Sequence, residues 1–269
     1  MRVAPPDPFA SLAERDPTVA PLARLYRIVF AAEGWDAAVP ELSREQAIAG
    51  IPLLHRTTLT PDARALDDLG RALADGAGVD LAGYAPAELA AGSIRDDVEL
   101  PPAVGLVASL LALPMLQAAG RRAAPLLADL TWDAGWCPTC GARPLLAESR
   151  GLDRERWLRC GRCATGWRFD PVRCAFCGAR EHKQLGYLAA EGQAEARRAL
   201  TCEQCGAYLK AVTTVAAPSG AELALADLAT LELDVAADER GFGRPPGLGF
   251  PLETAVEPRR SRGFGLFGR

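Results

Sequence analysis

Eight cysteines, all in Cys-x-x-Cys pairs, carry the chemistry of this 269-residue chain: Cys137/Cys140, Cys160/Cys163, Cys174/Cys177 and Cys202/Cys205. Such a pair can hold a metal, cycle as a dithiol or close a small disulfide. In a Cys-x-x-Cys turn both thiolates converge on one side of a tight loop, and two such knuckles facing each other make a tetrahedral four-sulfur site. A glycine after the second cysteine gives the loop its backbone freedom. Gly141, Gly178 and Gly206 hold that place, whereas the second knuckle has Ala164. The first two pairs are spaced C-x2-C-x19-C-x2-C, within the range of a zinc ribbon or rubredoxin-type site, and the last two C-x2-C-x24-C-x2-C. Two successive four-cysteine sites are the simplest pairing, and an arrangement exchanging the second and third knuckles is the open alternative.

Redox cycling needs one reactive pair at a helix start in a βαβ setting, a pattern the cysteine region does not have. Disulfides need an oxidising compartment. The first residues, MRVAPPDPFASLAERD, have no apolar core and carry Asp7, Glu14 and Asp16, so no signal peptide is read and a cytoplasmic location is expected. Two metal ions per chain are therefore expected. Four thiolates suit zinc and a single rubredoxin-type iron equally, and the metal stays open.

A catalytic set is not expected. His55 and His182 are the only histidines and lie in no nucleophile or zinc-protease motif. Asp67/Asp68 and Asp96/Asp97 read as solvated charges. Trp157, Trp167 and Tyr208 flank the knuckles and are expected to pack on the metal loops.

Charge argues against nucleic acid. Residues 136–210 hold thirteen Lys or Arg against eight Asp or Glu, formally +5. Each four-thiolate site with a divalent ion subtracts about two, which leaves roughly +1, and the whole chain is −4. A nucleic-acid-binding zinc ribbon is thus disfavoured.

The elements that must position these cysteines follow from hydrophobic period. Residues 1–135 read as an all-α domain. TPDARALDDLGRALADG has Thr60 as N-cap, Pro61 at the first helical position, and Leu66, Leu69 and Leu73 on one face before Gly76. Residues 18–32 and 121–133 show similar patterns. Residues 101–120 are uncharged and approach membrane-spanning length, but Pro101, Pro102, Pro114 and Gln117 favour a bent helix buried in the domain over a membrane segment. Two small four-cysteine modules follow, over 136–172 and 173–216, with RWLRC and GWRFD as short strands. Residues 217–250 contain a returning helix, opened by a capping box between Ser219 and Glu222. The tail, 251–269, with four arginines in PRRSRGFGLFGR, is expected to be disordered. The fold class is thus multi-domain α+β: an all-α domain, two rubredoxin-like or zinc-ribbon modules, and a C-terminal helix.

The ordered set WCPTCGARP, RWLRCGRCATGW, RCAFCGA, LTCEQCGAYLK and ADLATLELDVAADERGF resembles the formate dehydrogenase accessory protein family, FdhE, over residues 136–244. The N-terminal half resembles it more loosely, through helical character and GIPLL at 50–54. The resemblance implies a cytoplasmic, non-enzymatic assembly factor that binds the formate dehydrogenase catalytic subunit, with the eight cysteines as ligands to iron or zinc in rubredoxin-like modules. A homodimer is compatible with it. GRPPGLGFPLE and the Arg-rich tail depart from the family's usual end. A rubredoxin-like electron carrier is the alternative function.

Overall fold

The computed structural model describes residues 7–151 and 153–260. Its helical half comprises α1 (Pro8–Arg15), α2 (Ala20–Ala31), α3 (Arg44–Ile48), α4 (Ala63–Ala77), α5 (Pro86–Arg95) and α6 (Pro102–Leu127). The hub is α6, which packs against α2, α4 and α5. Proline at its start costs no hydrogen bond, and Val107, Leu110, Leu111, Met115, Leu116 and Ala119 are all buried. By length and composition α6 could cross a membrane, but 78% of its most apolar window is buried inside the fold. That is the core helix expected from its prolines.

Two local expectations are corrected. Residues 121–133 are not a separate helix: α6 continues through Gly120 to Leu127. The missing side chain of Gly120, just before that stretch, serves close packing inside the helix's contact with the second half. In α4 the cap is Asp62, whose carboxylate accepts from the Ala65 amide at 2.9 Å, not Thr60. That helix ends at Gly78, left-handed at φ 64°, while Gly76 stays helical against Leu25 and Ile28.

The second half is a six-stranded sheet. Its strands are β2 (Leu146–Arg150), β3 (Glu155–Arg159), β4 (Gly166–Arg168), β5 (Leu185–Leu188), β6 (Arg197–Cys202) and β7 (Ala207–Thr214), in the order β4-β3-β2-β7-β6-β5. RWLRC and GWRFD supply β3 and β4 as expected. Each cysteine region contributes an antiparallel triplet. The two triplets are fused by parallel pairing of β2 with β7, from Leu146 opposite Lys210 to Arg150 opposite Thr214, so both cysteine regions share one sheet.

The returning helix is two helices, α7 (Gly220–Leu228) and α8 (Leu231–Asp238). The capping box is present: the Ser219 hydroxyl accepts from the Glu222 amide, and the Glu222 carboxylate from the Ser219 amide. The chain breaks at Thr230, whose hydroxyl donates back to the Ala226 carbonyl at 2.7 Å, a local bond that competes with helix continuation.

Residues 251–260, expected to be disordered, are instead held in place. Strand β8 (Ala255–Val256) runs parallel to β1 (Thr58–Leu59). Thr254, 1% exposed, donates to the Leu54 carbonyl at 2.7 Å, and the Arg259 guanidinium donates to the Thr60 and Ala37 carbonyls. The arginine that looked like tail charge is satisfying loop carbonyls. Residues 261–269, where the rest of that expectation falls, lie outside the described residues.

Candidate metal centres

All four knuckles fold the same way. In the first, the Gly141 amide donates to the Cys137 carbonyl at 2.9 Å and the Cys137 amide to the Ala142 carbonyl at 2.8 Å. The second and third repeat both bonds, with Ala164 to Cys160 at 3.0 Å and Gly178 to Cys174 at 3.1 Å, and in the fourth Gly206 donates to Cys202 at 2.9 Å. The residue after the second cysteine turns left-handed each time, at φ 65°, 58°, 78° and 65°. That is why glycine suits it; Ala164 adopts it with a Cβ. In the first and third knuckles a loop amide also donates to the leading sulfur, Thr139 to Cys137 and Phe176 to Cys174, both at 3.4 Å.

The knuckles meet in sequence order. Cys137, Cys140, Cys160 and Cys163 form one group and Cys174, Cys177, Cys202 and Cys205 the other, the sulfurs of each within 4.8 Å of one another. The interleaved alternative is overturned. A tetrahedron with sulfurs about 2.3 Å from its centre has edges of about 3.8 Å. The second group shows 3.8 Å from Cys174 to Cys205 and 3.7 Å from Cys177 to Cys202. The first is tighter, at 3.4 Å for Cys137–Cys163 and Cys140–Cys160.

Electrostatics fits a cation. In the first group burial and the neighbouring sulfurs push the Cys137 thiol well above its usual range. Burial pushes Cys160 the same way, but hydrogen bonds from Cys137, Cys140 and Cys163 outweigh it and hold Cys160 well below the usual thiol range. With Cys137 held as a thiol where Cys160 ionises, the sulfurs cannot all carry charge together. A divalent ion at the centre removes that limit.

Sequence reasoning missed what covers the first group. The amides of Leu53 and Leu54 donate to the Pro138 and Thr139 carbonyls, both at 2.9 Å, so GIPLL, noticed only as a likeness, is a strap over the first knuckle. The buried hydroxyls of Thr139 and Thr165 join the first and second knuckles at 2.8 Å. Gly120 of α6 lies against the Cys163 carbonyl, and the Gly249 and Phe250 amides bond to Gly141.

Among the described residues, neither histidine joins either group. His55 packs edge-on to Phe250 at 5.3 Å, and His182 is exposed beside Glu181. Trp167 is buried and donates to the Ala134 carbonyl at 3.1 Å. Trp157 lies between the Arg150 and Arg168 guanidinium groups. The Tyr208 hydroxyl donates to Asp234 at 2.6 Å, which docks α8 on β7. Asp68 and Asp97 form exposed pairs with Arg71 and Arg95.

Residues 172–247, which contain the whole second group, match the family model for FdhE, C-terminal domain. The Protein FdhE homolog of Stutzerimonas stutzeri (strain A1501) is 39% identical over 115 residues, 42% of this chain and 37% of that protein. The Protein FdhE homolog of Aquifex aeolicus (strain VF5) is 30% identical over 118 residues, 41% and 40% of the two chains. Protein FdhE of Salmonella choleraesuis (strain SC-B67) is 33% identical over 114 residues, 40% and 35%. The chain thus matches well under half the length of these relatives. The crystal structure of the FdhE protein from Pseudomonas aeruginosa is similar at TM-score 0.54 and 24% identity, over 91% of this chain and 93% of that one, a likeness of fold. The resemblance carried by the four knuckles is borne out.

Proposed function

We propose that this chain is a formate dehydrogenase accessory protein: a non-enzymatic, cytoplasmic assembly factor that binds the catalytic subunit during maturation. The observation that carries this reading is the match of residues 172–247 to the FdhE C-terminal domain, over the stretch that forms the second four-cysteine group. The eight cysteines hold two metal ions, iron or zinc. Closing each knuckle pair onto an ion fixes its two loops against each other, so metal binding contributes folding energy to the surface around them. The helical half then acts as scaffold, through α6 beneath the first group and the 50–54 strap above it.

The test is a strain carrying Cys137→Ala and Cys140→Ala, assayed for formate dehydrogenase activity and for co-purification of the catalytic subunit. Loss of both with the variant chain still present supports the reading, and normal activity sinks it. A rubredoxin-like carrier is the second reading, favoured by the solvent-exposed Cys177 and Cys205 at one edge of the second group, since electron transfer needs an accessible edge. Iron-loaded protein that bleaches and recolours reversibly, in a strain whose formate dehydrogenase matures without it, would select the carrier.

A further inference from the structure

The two cysteine groups differ in cover far more than in geometry. In the first, Cys137, Cys140 and Cys160 are 0% exposed and Cys163 1%. The segments that close it come from across the chain: Leu53 and Leu54 bond to the first knuckle, Gly120 of α6 lies against Cys163, and Phe250 bonds to Gly141. A cavity of about 880 Å³ lined by Pro138, Cys163, Thr165 and Trp167 runs up to this group, but Cys163 keeps only 1% exposure beside it, so a molecule from solvent reaches these sulfurs only when the segments around them part. The second group lacks such a lid on one side. Cys174 and Cys202 are buried at 7% and 2%, but Cys177 and Cys205, the trailing residue of each knuckle, are exposed.

We propose that the second site is the exchangeable one: its metal is lost and regained through Cys177 and Cys205, while the first site keeps its ion as part of the core. This rests on the reading that both groups hold metal. Ligand exchange at a closed tetrahedral ion starts with an incoming donor reaching the ion, and the protein shell around a site controls that access. An incoming thiolate or aminocarboxylate bonds to the ion as the bond to Cys177 or Cys205 breaks, and the freed sulfur takes a proton from water. No electron transfer is involved. At the first site the same step waits for local unfolding, so its rate is that of an opening event in the core.

The experiment uses the full chain reconstituted with two equivalents of zinc. EDTA is added, release is followed with a zinc indicator, and iodoacetamide labelling at each time is mapped by peptide mass spectrometry. One zinc should leave at least roughly tenfold faster than the other, with Cys177 and Cys205 labelled first and Cys137, Cys140, Cys160 and Cys163 still protected. The Cys205→Ser variant should keep one zinc with the slow rate unchanged. Release of both ions at one rate, or earlier labelling of the first group, overturns the proposal. A chain that takes up no zinc or iron at either group overturns the metal reading itself, and the exchange proposal with it.

Discussion

Gly120 on α6 and the Cys163 carbonyl are packed so closely that a Cβ on Gly120 would stand 1.8 Å from that oxygen. The obstacle is backbone of the second knuckle, which cannot move aside without shifting Cys163 out of the four-sulfur group. Gly120→Ala should therefore destabilise the zinc-loaded protein by about 2 kcal/mol or more, at the upper part of the overpacking range, and lower zinc content at the first site. Gly243→Ala, where the added methyl meets nothing within 4 Å, should stay within about 0.5 kcal/mol of the parent. Urea unfolding of the three proteins checks this; equal midpoints for Gly120→Ala and parent would refute the close contact.

Ala164 predicts a change of the opposite sign. It holds φ 58°, where an L side chain pays roughly 1–2 kcal/mol, and the other three knuckles have glycine there. Ala164→Gly should stabilise by about 0.5–1 kcal/mol, the relief of strain exceeding the extra freedom gained by the unfolded chain. Thermal melts of zinc-loaded protein decide it: an unchanged or lower Tm would mean that the methyl packs better than the strain costs.

The two four-cysteine groups were legible in the sequence because each knuckle is local: two cysteines and a turn whose left-handed φ is met by glycine in three knuckles and by Ala164 in the other. Spacing then gave the pairing in its simplest form. What covers the sites was not legible, because it depends on contacts between segments far apart in the chain. Leu53 and Leu54 give no sign that their amides reach Pro138 and Thr139, and nothing local marks Gly120 as a close approach to Cys163. The C-terminal segment misled through composition, since Pro and Arg near a terminus look solvated. In the fold Thr254 is buried and Arg259 is spent on the Thr60 and Ala37 carbonyls.

The Thr139–Thr165 hydroxyl pair, 2.8 Å apart and buried between the knuckles, predicts non-additive mutants. Thr165→Val leaves the Thr139 hydroxyl without its partner where water does not reach, and should cost about 1–3 kcal/mol. Adding Thr139→Val removes the orphan as well, so the double variant should recover part of that loss, the rest being the contact of the Thr165 hydroxyl with the Cys163 sulfur at 3.2 Å. Denaturant unfolding of both single variants and the double variant completes the cycle. Simple additivity would show that the two hydroxyls do not depend on each other.

Lys210 is completely buried, with its ammonium 2.6 Å from Asp227 and 2.7 Å from Asp234. It also donates to the Asp227 carbonyl at 2.7 Å. Arg244 bonds the same two carboxylates at 2.7 and 2.8 Å, so the cluster clamps α7 and α8 onto β7. Lys210→Met removes the central cation and should cost about 3 kcal/mol, the low end for breaking a buried pair. The pH dependence follows from Asp234. Burial alone would raise its pKa, but hydrogen bonds from Lys210, Tyr208 and Arg244 outweigh it and hold the carboxyl below its usual 3.8. A carboxylate whose folded pKa is depressed adds stability that is complete above the unfolded value and is lost as pH falls through the folded one. The parent should therefore lose stability below pH 3.8 more steeply than Lys210→Met does. Cysteine protonation and metal loss act on both chains alike and cancel in the difference. Parallel acid titrations followed by far-ultraviolet dichroism measure that difference, and curves offset by a constant amount at every pH would show that Lys210 does not set the ionisation of Asp234.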